Sequence, residues 1–162
     1  MPRKLQPTFA LSGTIDIPEI LYKTKFDAIG NQLLNVNLVH PVGHNFNNLE
    51  RCLLNNEALL ASVSQRNIIY CIWQTNEKGI FEKAYIGQSN AKGARARIRN
   101  HLFKQTGNTK SKLDKVKTAI AQKKQIGFSF IEIKPGFFRA AIEEYLIQKY
   151  ADSLPWNEVG KK

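Results

Sequence analysis

Apolar side chains recur along this chain with two different periods, and the sharpest change between them lies near its middle. Residues 68–73 read Ile-Ile-Tyr-Cys-Ile-Trp. A polar stretch, Thr75-Asn76-Glu77-Lys78-Gly79, separates them from Lys83-Ala84-Tyr85-Ile86-Gly87. Two short runs rich in β-branched and aromatic residues around a polar turn predict antiparallel strands joined by a hairpin. Period-two alternation puts Ile68, Tyr70 and Ile72 on one face of the first strand and Ile69, Cys71 and Trp73 on the other. Both faces are apolar, so this strand is expected to be covered on both sides. In a matching register Tyr70 and Tyr85 face a common sheet surface, and Gly87 leaves the backbone open where the second strand is expected to end.

After the hairpin the period changes to that of a helix. Across residues 93–104, Ala94, Ile98 and Leu102 form an apolar stripe, with Arg97 and His101 four apart on one side of it. A second helical pattern buries Leu113, Val116, Ala119 and Ile120 and leaves Lys112, Lys115, Lys117 and Lys123 outside. Residues 128–133 predict a third strand, with Phe128, Phe130 and Glu132 opposite Ser129, Ile131 and Ile133, ended by Pro135-Gly136. A further helix is expected to begin near Phe137. On it Glu143 falls between Leu146, Ile147 and Tyr150, whereas Glu144 shares its side with Gln148 and Ala151.

Upstream the pattern is mixed. Phe9 to Ile17 is expected to be extended, with a turn at Ser12-Gly13. Asp16-Ile17-Pro18-Glu19 predicts a helix start and Gly30 its stop, and Leu33 to Val39 alternates like a strand. Asn47 or Asn48 caps a helix carrying Leu49, Cys52, Leu53, Leu59 and Leu60, interrupted at Asn55-Asn56 and ending near Ser64-Gln65-Arg66. Residues 1–66 contain no catalytic motif. They are expected to form an arm or subdomain, serving DNA recognition or dimerisation, attached to a core of residues 67–162.

Charge sharpens this division. The chain carries 24 Lys and Arg against 13 Asp and Glu, a formal net charge of +11. Residues 92–124 hold 11 of those basic side chains and one acid, Asp114. So local a surplus, directly after the hairpin, points to a polyanionic partner. Lys104 to Lys110 is a polar, glycine-containing loop suited to phosphate contacts. At 43% hydrophobic and 23% charged residues the composition is that of a globular protein. No run approaches the ~18 apolar residues of a membrane helix and the N-terminus lacks an apolar signal region, so a cytoplasmic location is expected. Cys52 and Cys71 lack Cys-x-x-Cys spacing and are expected to be buried free thiols. His40 and His44 bracket Pro41-Val42-Gly43, a loop-like sequence with no third ligand for zinc nearby.

A carboxylate within an apolar stripe must be paired, coordinated or neutral. For Glu143 the alternatives are an ion pair with Arg139, a helix-edge position, or ligation of a hard cation. One carboxylate plus water and phosphate oxygens suits Mg²⁺.

Five pieces then line up in order: Ile68-Ile69-Tyr70, Tyr85-Ile86-Gly87, Arg97 with His101, Glu143 with Leu146-Ile147, and Pro155-Trp156-Asn157. Together they resemble the GIY-YIG endonuclease superfamily, and look most like its type II restriction endonuclease branch. Two departures stand out: Ile68 replaces the first glycine, and the hairpin is longer than in compact members. The resemblance implies an α/β (α+β) fold, a small antiparallel β-sheet flanked by helices with an N-terminal extension. It also implies an endonuclease hydrolysing double-stranded DNA with Mg²⁺, Mn²⁺ being able to substitute. The implied catalytic set is Tyr70, Tyr85, Arg97, His101, Glu143 and Asn157, with Glu143 as the metal ligand. Lys92, Arg95, Arg99, Lys104, Lys110 and Lys112 are the expected DNA contacts, and a homodimer the expected assembly. The same core serves repair, phage and homing nucleases. A non-catalytic nucleic-acid-binding domain is the competing class, and binding alone needs none of the buried polar groups.

Overall fold

The hairpin forms as the alternation requires, and the rest of the chain is laid on its two faces. In the computed structural model, which describes residues 10–107 and 110–158, strand β2 (Ile68–Thr75) pairs antiparallel with β3 (Phe81–Ser89) on one side and with β4 (Ile126–Glu132) on the other. A short strand β1 (His40–Val42) joins the far side of β4. The antiparallel sheet therefore has the order β1-β4-β2-β3. Tyr70 lies opposite Gly87 and Ile72 opposite Tyr85, with a register irregularity between Ile72 and Trp73. The second strand does not end at Gly87 but runs on to Ser89.

Helices α1 (Lys23–Leu33), α2 (Leu49–Asn55), α3 (Glu57–Val63), α4 (Ala94–Leu102), α5 (Leu113–Ala121) and α6 (Arg139–Lys149) flank the sheet. Two apolar clusters result. Ile68, Tyr70 and Ile72 pack with Ala94, Ile98 and Leu102 of α4 and Val116 of α5. Ile69, Cys71 and Trp73 pack with Leu33 of α1 and Ile142, Leu146 and Ile147 of α6. Each such aliphatic side chain, once buried, contributes roughly 1.5–3 kcal/mol of transfer free energy. Cys52 and Cys71 are buried and free. Among the described residues no helix is long and apolar enough to cross a membrane.

Residues 33–63 are built into both layers. Leu33 belongs to the Trp73 side, while Val42, Cys52, Leu59, Leu60 and Val63 belong to the Tyr70 side. Asn48 caps α2 by accepting from Arg51 N at 3.1 Å. Three local expectations for this part of the chain are corrected. The helix expected to run from Asp16–Glu19 to Gly30 is instead a 3-10 turn, Glu19–Leu21, followed by α1, which starts at Lys23 and continues to Leu33; Gly30 is where α1 meets α6, since a Cβ there would come within 2.6 Å of Leu146 Cδ2. The strand expected at 33–39 is instead the end of α1 and a 3-10 turn, Val36–Leu38. The strand is His40–Val42, within the stretch read as a loop. Pro41 is tolerated there because β1 is an edge strand. Downstream, β4 begins at Ile126, two residues before the expected Phe128. The expected extended start at Phe9 and the centre of the loop after α4, Asn108 and Thr109, lie outside the described residues.

Candidate active site

Tyr70 is the largest side chain in the Tyr70-side cluster to be wholly buried, and its hydroxyl is carried into that layer with it. The room for it comes from the strand opposite, since a Cβ on Gly87 would strike the Tyr70 hydroxyl. The glycine of Tyr85-Ile86-Gly87 is thus fixed by the phenol it faces rather than by a turn.

Helix α4 delivers two donors to this oxygen. Arg97 Nε donates to Tyr70 Oη at 3.2 Å, and His101 Nε2 lies 2.8 Å from the same oxygen. The backbone N–H of Lys112 donates to His101 Nδ1 at 3.0 Å. A backbone amide can only donate, so Nδ1 carries the lone pair, the ring proton sits on Nε2, and His101 donates to Tyr70. Ser111 holds the loop that supplies this amide: its Oγ donates to Asn100 O at 2.5 Å and accepts from Leu113 N at 3.0 Å. The phenolic oxygen thus collects one guanidinium and one imidazole hydrogen bond.

Burial pushes the Tyr70 phenol well above its ordinary value of ~10, with Arg97 opposing. In the free protein desolvation therefore outweighs Arg97 at this phenol. Tyr85 is half-buried, its ring centroid 6.2 Å from that of Tyr70, and its phenol is raised chiefly by burial with Arg97 again opposing. Burial, then the charges of Arg97 and Lys112, push His101 down to about 3.

Glu143 approaches from the other layer. It is half-buried while Glu144 is exposed and hydrogen-bonded by Gln148, as helical geometry predicts. Burial raises the Glu143 carboxyl, Arg97 opposes this and Glu144 adds to it. The ion pair with Arg139 does not form, because Arg139 is bound to Gln88, Asn67 and Gly136. Among the described residues Glu143 has no hydrogen-bonding or ion-pair partner, and no three His, Cys, Asp or Glu side chains form a metal cage. A half-buried carboxylate with no ion-pair partner among the described residues fits a hard divalent ion completed by water and phosphate oxygens.

The sheet edge where these layers meet is closed by the C-terminal turn. Asn157 Oδ1 accepts from Ile86 N at 2.9 Å, Asn157 Nδ2 donates to Ile86 O at 2.9 Å, and Trp156 N donates to Ala84 O at 2.9 Å. Asn157 thus satisfies both backbone groups of Ile86 on the edge strand, Trp156 takes the carbonyl of Ala84, and the Asn157 amide touches no other member of the cluster.

Arg97 and His101 border a cavity of about 410 Å³ that also takes in Gln88, Asn90, Lys110 and Arg139. Of the expected DNA contacts, Lys110 lines this cavity, and Lys92 and Lys104 are exposed. Lys112 lies half-buried with Nζ 5.3 Å from the Tyr85 ring centre. Arg95 pairs with Glu57 at 2.7 Å, and Arg99 turns a buried Nε inward without a partner among the described residues. His44, weighed for zinc, lies instead within 2.8 Å of Leu102 O through Nε2. No local pattern marks Gln88 and Asn100 as lining this cavity, or Asn67 as a partner of Arg139 at its border. Arg139 carried a weak sign, as a basic residue at a helix start after Pro-Gly.

A buried phenol under a guanidinium and an imidazole, beside a desolvated carboxylate and a basic cavity, is equipment for cutting phosphodiesters. The GIY-YIG catalytic domain matches residues 66–157, more than half of the chain. The chain therefore belongs to the GIY-YIG family: its fold is of the nuclease type, and endonuclease activity is the general property of the domain. No curated protein and no solved structure matches it.

Proposed function

We propose that this protein is a sequence-specific, divalent-metal-dependent endonuclease of double-stranded DNA, of the type II restriction kind. The observation that carries this reading is the convergence of Arg97 and His101 on the Tyr70 hydroxyl at the rim of a basic cavity. A domain that only binds nucleic acid gains nothing from burying Tyr70 and His101.

Hydrolysis needs a water stripped of a proton and neutralisation of the charge that grows on the phosphate. Glu143 would hold the divalent ion, Mg²⁺ or Mn²⁺, which supplies Lewis acidity at the phosphate when bound. Arg97 presents a planar fork to the non-bridging oxygens. In the free protein Arg97 covers Tyr70, so a phosphate that draws the guanidinium outward uncovers the phenol. Tyr70, protonated in the free protein, then orients the attacking water through its hydroxyl, while the neutral His101 keeps donating to the phenolic oxygen and holds it in place. Tyr85, half-exposed between Arg97 and solvent, orders the same water. Asn157 acts by holding the strand that carries Tyr85.

Residues 1–66 are assigned to DNA recognition or to a second copy, and the described part favours the copy. Residues 10–22 contain no Lys or Arg, and Leu11, Ile15, Ile17, Ile20 and Leu21 are exposed. Apolar and acidic side chains suit a protein surface better than phosphates, and a homodimer on a two-fold symmetric site would cut both strands. Light scattering on the complex with cognate duplex is expected to give two copies.

The test of the main reading is incubation of purified protein with plasmid and phage DNA. Discrete fragments are expected with Mg²⁺ and none with EDTA. Intact DNA after long incubation with Mg²⁺ and with Mn²⁺, over many substrate sequences, would overturn it.

A further inference from the structure

The cavity beside α4 holds a second guanidinium that the hydrolytic roles above leave unused. Arg139, the first residue of α6, donates through Nε to Gln88 Oε1 at 2.8 Å, and through Nη1 to Asn67 Oδ1 and to Gly136 O, each at 2.8 Å. All three acceptors are neutral amide oxygens. Among the described residues no carboxylate pairs with Arg139, and its Nη2 makes no hydrogen bond. This guanidinium is therefore oriented on two of its three nitrogens while its charge and two N–H donors remain for an anion.

The frame that orients it is itself rigid. Asn67 Oδ1 also accepts from Ala91 N at 3.1 Å, and Gly136 is pressed so close that a Cβ there would come within 2.5 Å of Asn67 Cγ. A fork pre-set by its neighbours loses little side-chain entropy on meeting a ligand. Its surroundings define that ligand, since Arg139 shares the cavity with Arg97 and Lys110, a concave surface with three cations and no carboxylate.

Arg139 is also set apart from the reacting cluster. Glu143 stands one helical turn further along α6 and, among the described residues, makes no ion pair with Arg139. The hydrogen bonds of Arg139 tie it to the start of β2, the end of β3 and the turn before α6, not to Tyr70, Tyr85 or His101.

We propose that Arg139 binds a second, non-scissile phosphate of the strand being cut, so that the backbone is held across the cavity by Arg97 at the reacting phosphate and by Arg139 at another. This rests on the endonuclease reading and adds to it a residue that fixes where along the strand the cut falls. A phosphate contact of this kind positions the substrate and carries no base information.

Two measurements test it. In Ca²⁺ or without metal, Arg139→Gln is expected to weaken binding to a duplex carrying the mapped cut site by roughly ten-fold, and to reduce the slope of log affinity against log salt by about 1. Arg139→Lys is expected to restore the slope and part of the affinity, and both variants to keep most of kcat at saturating DNA. The second measurement leaves the protein unchanged and places one neutral methylphosphonate at each position around the cut. Wild-type affinity should fall at one position besides the scissile one, and there Arg139→Gln should cause no additional loss. A wild-type salt slope in Arg139→Gln, or coupling to the scissile phosphate alone, would overturn the proposal and leave the nuclease reading standing. A wild-type protein that neither binds nor cuts any duplex would overturn both.

Discussion

The two faces of β2 are equally dry and are used in opposite ways. On one, Trp73 Nε1 donates to Ser129 Oγ at 2.9 Å and Ser129 Oγ donates to Leu33 O at 2.8 Å, so the chain of donors ends on a helix-terminal carbonyl. On the other, Lys112 N donates to His101, and His101 and Arg97 both donate to Tyr70. That chain ends on a phenolic oxygen that already receives two hydrogen bonds and stands beside Tyr85. A closed chain satisfies polar groups and holds helices in place. An open one ends on a group held by two side chains that line a cavity, and this is what the first face lacks and the second keeps.

The largest effect should come from the residue that completes the open side. Glu143→Gln keeps the shape of the side chain but removes the charge that would hold the cation, so cleavage is expected to fall by orders of magnitude. DNA binding should survive or tighten, because an anionic group has left the phosphate site. Glu144→Gln, on the exposed flank with Gln148, should retain most activity. Cleavage assays on both variants, each confirmed folded by circular dichroism, decide the matter: the reverse ranking would mean that Glu144 and not Glu143 faces the site.

A pair of conservative deletions, one on each face, sharpens the contrast. Tyr70→Phe removes only the hydroxyl and should cut kcat by roughly 10²-fold or more. Ser129→Ala strands the Trp73 N–H and the Leu33 carbonyl, and is expected to cost about 1–3 kcal/mol of stability while leaving activity per folded molecule unchanged. Denaturant titration and steady-state cleavage of the two proteins separate these outcomes. A large loss of kcat in folded Ser129→Ala would show that both faces serve the reaction.

How much of this was legible in the sequence depended on distance along the chain. The faces of β2 could be read from six consecutive residues because strand periodicity is local, and the stripe of α4 placed Arg97 beside His101 for the same reason. Glu143 declared itself as a carboxylate among aliphatic neighbours on its own helix. What could not be read was set by partners far away. Gly30 resembled a helix stop, but its role is to admit Leu146, and β1 exists because β4 offers it an edge. Nothing local to Arg139 announces that Asn67 and Gln88 will grip it.

The smallest effect is one of pH, and it follows from the tautomer of His101. An exposed histidine in the unfolded chain titrates near ~6.5, whereas burial, with Arg97 and Lys112 nearby, brings His101 in the folded protein to about 3. Between these values the unfolded state binds more protons than the folded one, so this group's contribution to stability is full above pH ~6.5 and is lost as the pH falls toward 3. His44, also lowered by burial, adds a slope of the same sign, so the wild-type protein alone does not isolate His101. His101→Gln does, since it can still donate to Tyr70 and cannot titrate. Denaturant unfolding of both proteins at pH 7.5 and pH 5 should show a larger loss on acidification in the wild type than in the variant. In the folded wild type, ¹⁵N resonances of the His101 ring should show a neutral, Nε2-protonated imidazole throughout that range. A folded-state midpoint near pH 6.5 would place a charged imidazolium beside Arg97 during turnover. His101 would then be available as an acid rather than as a fixed donor to Tyr70.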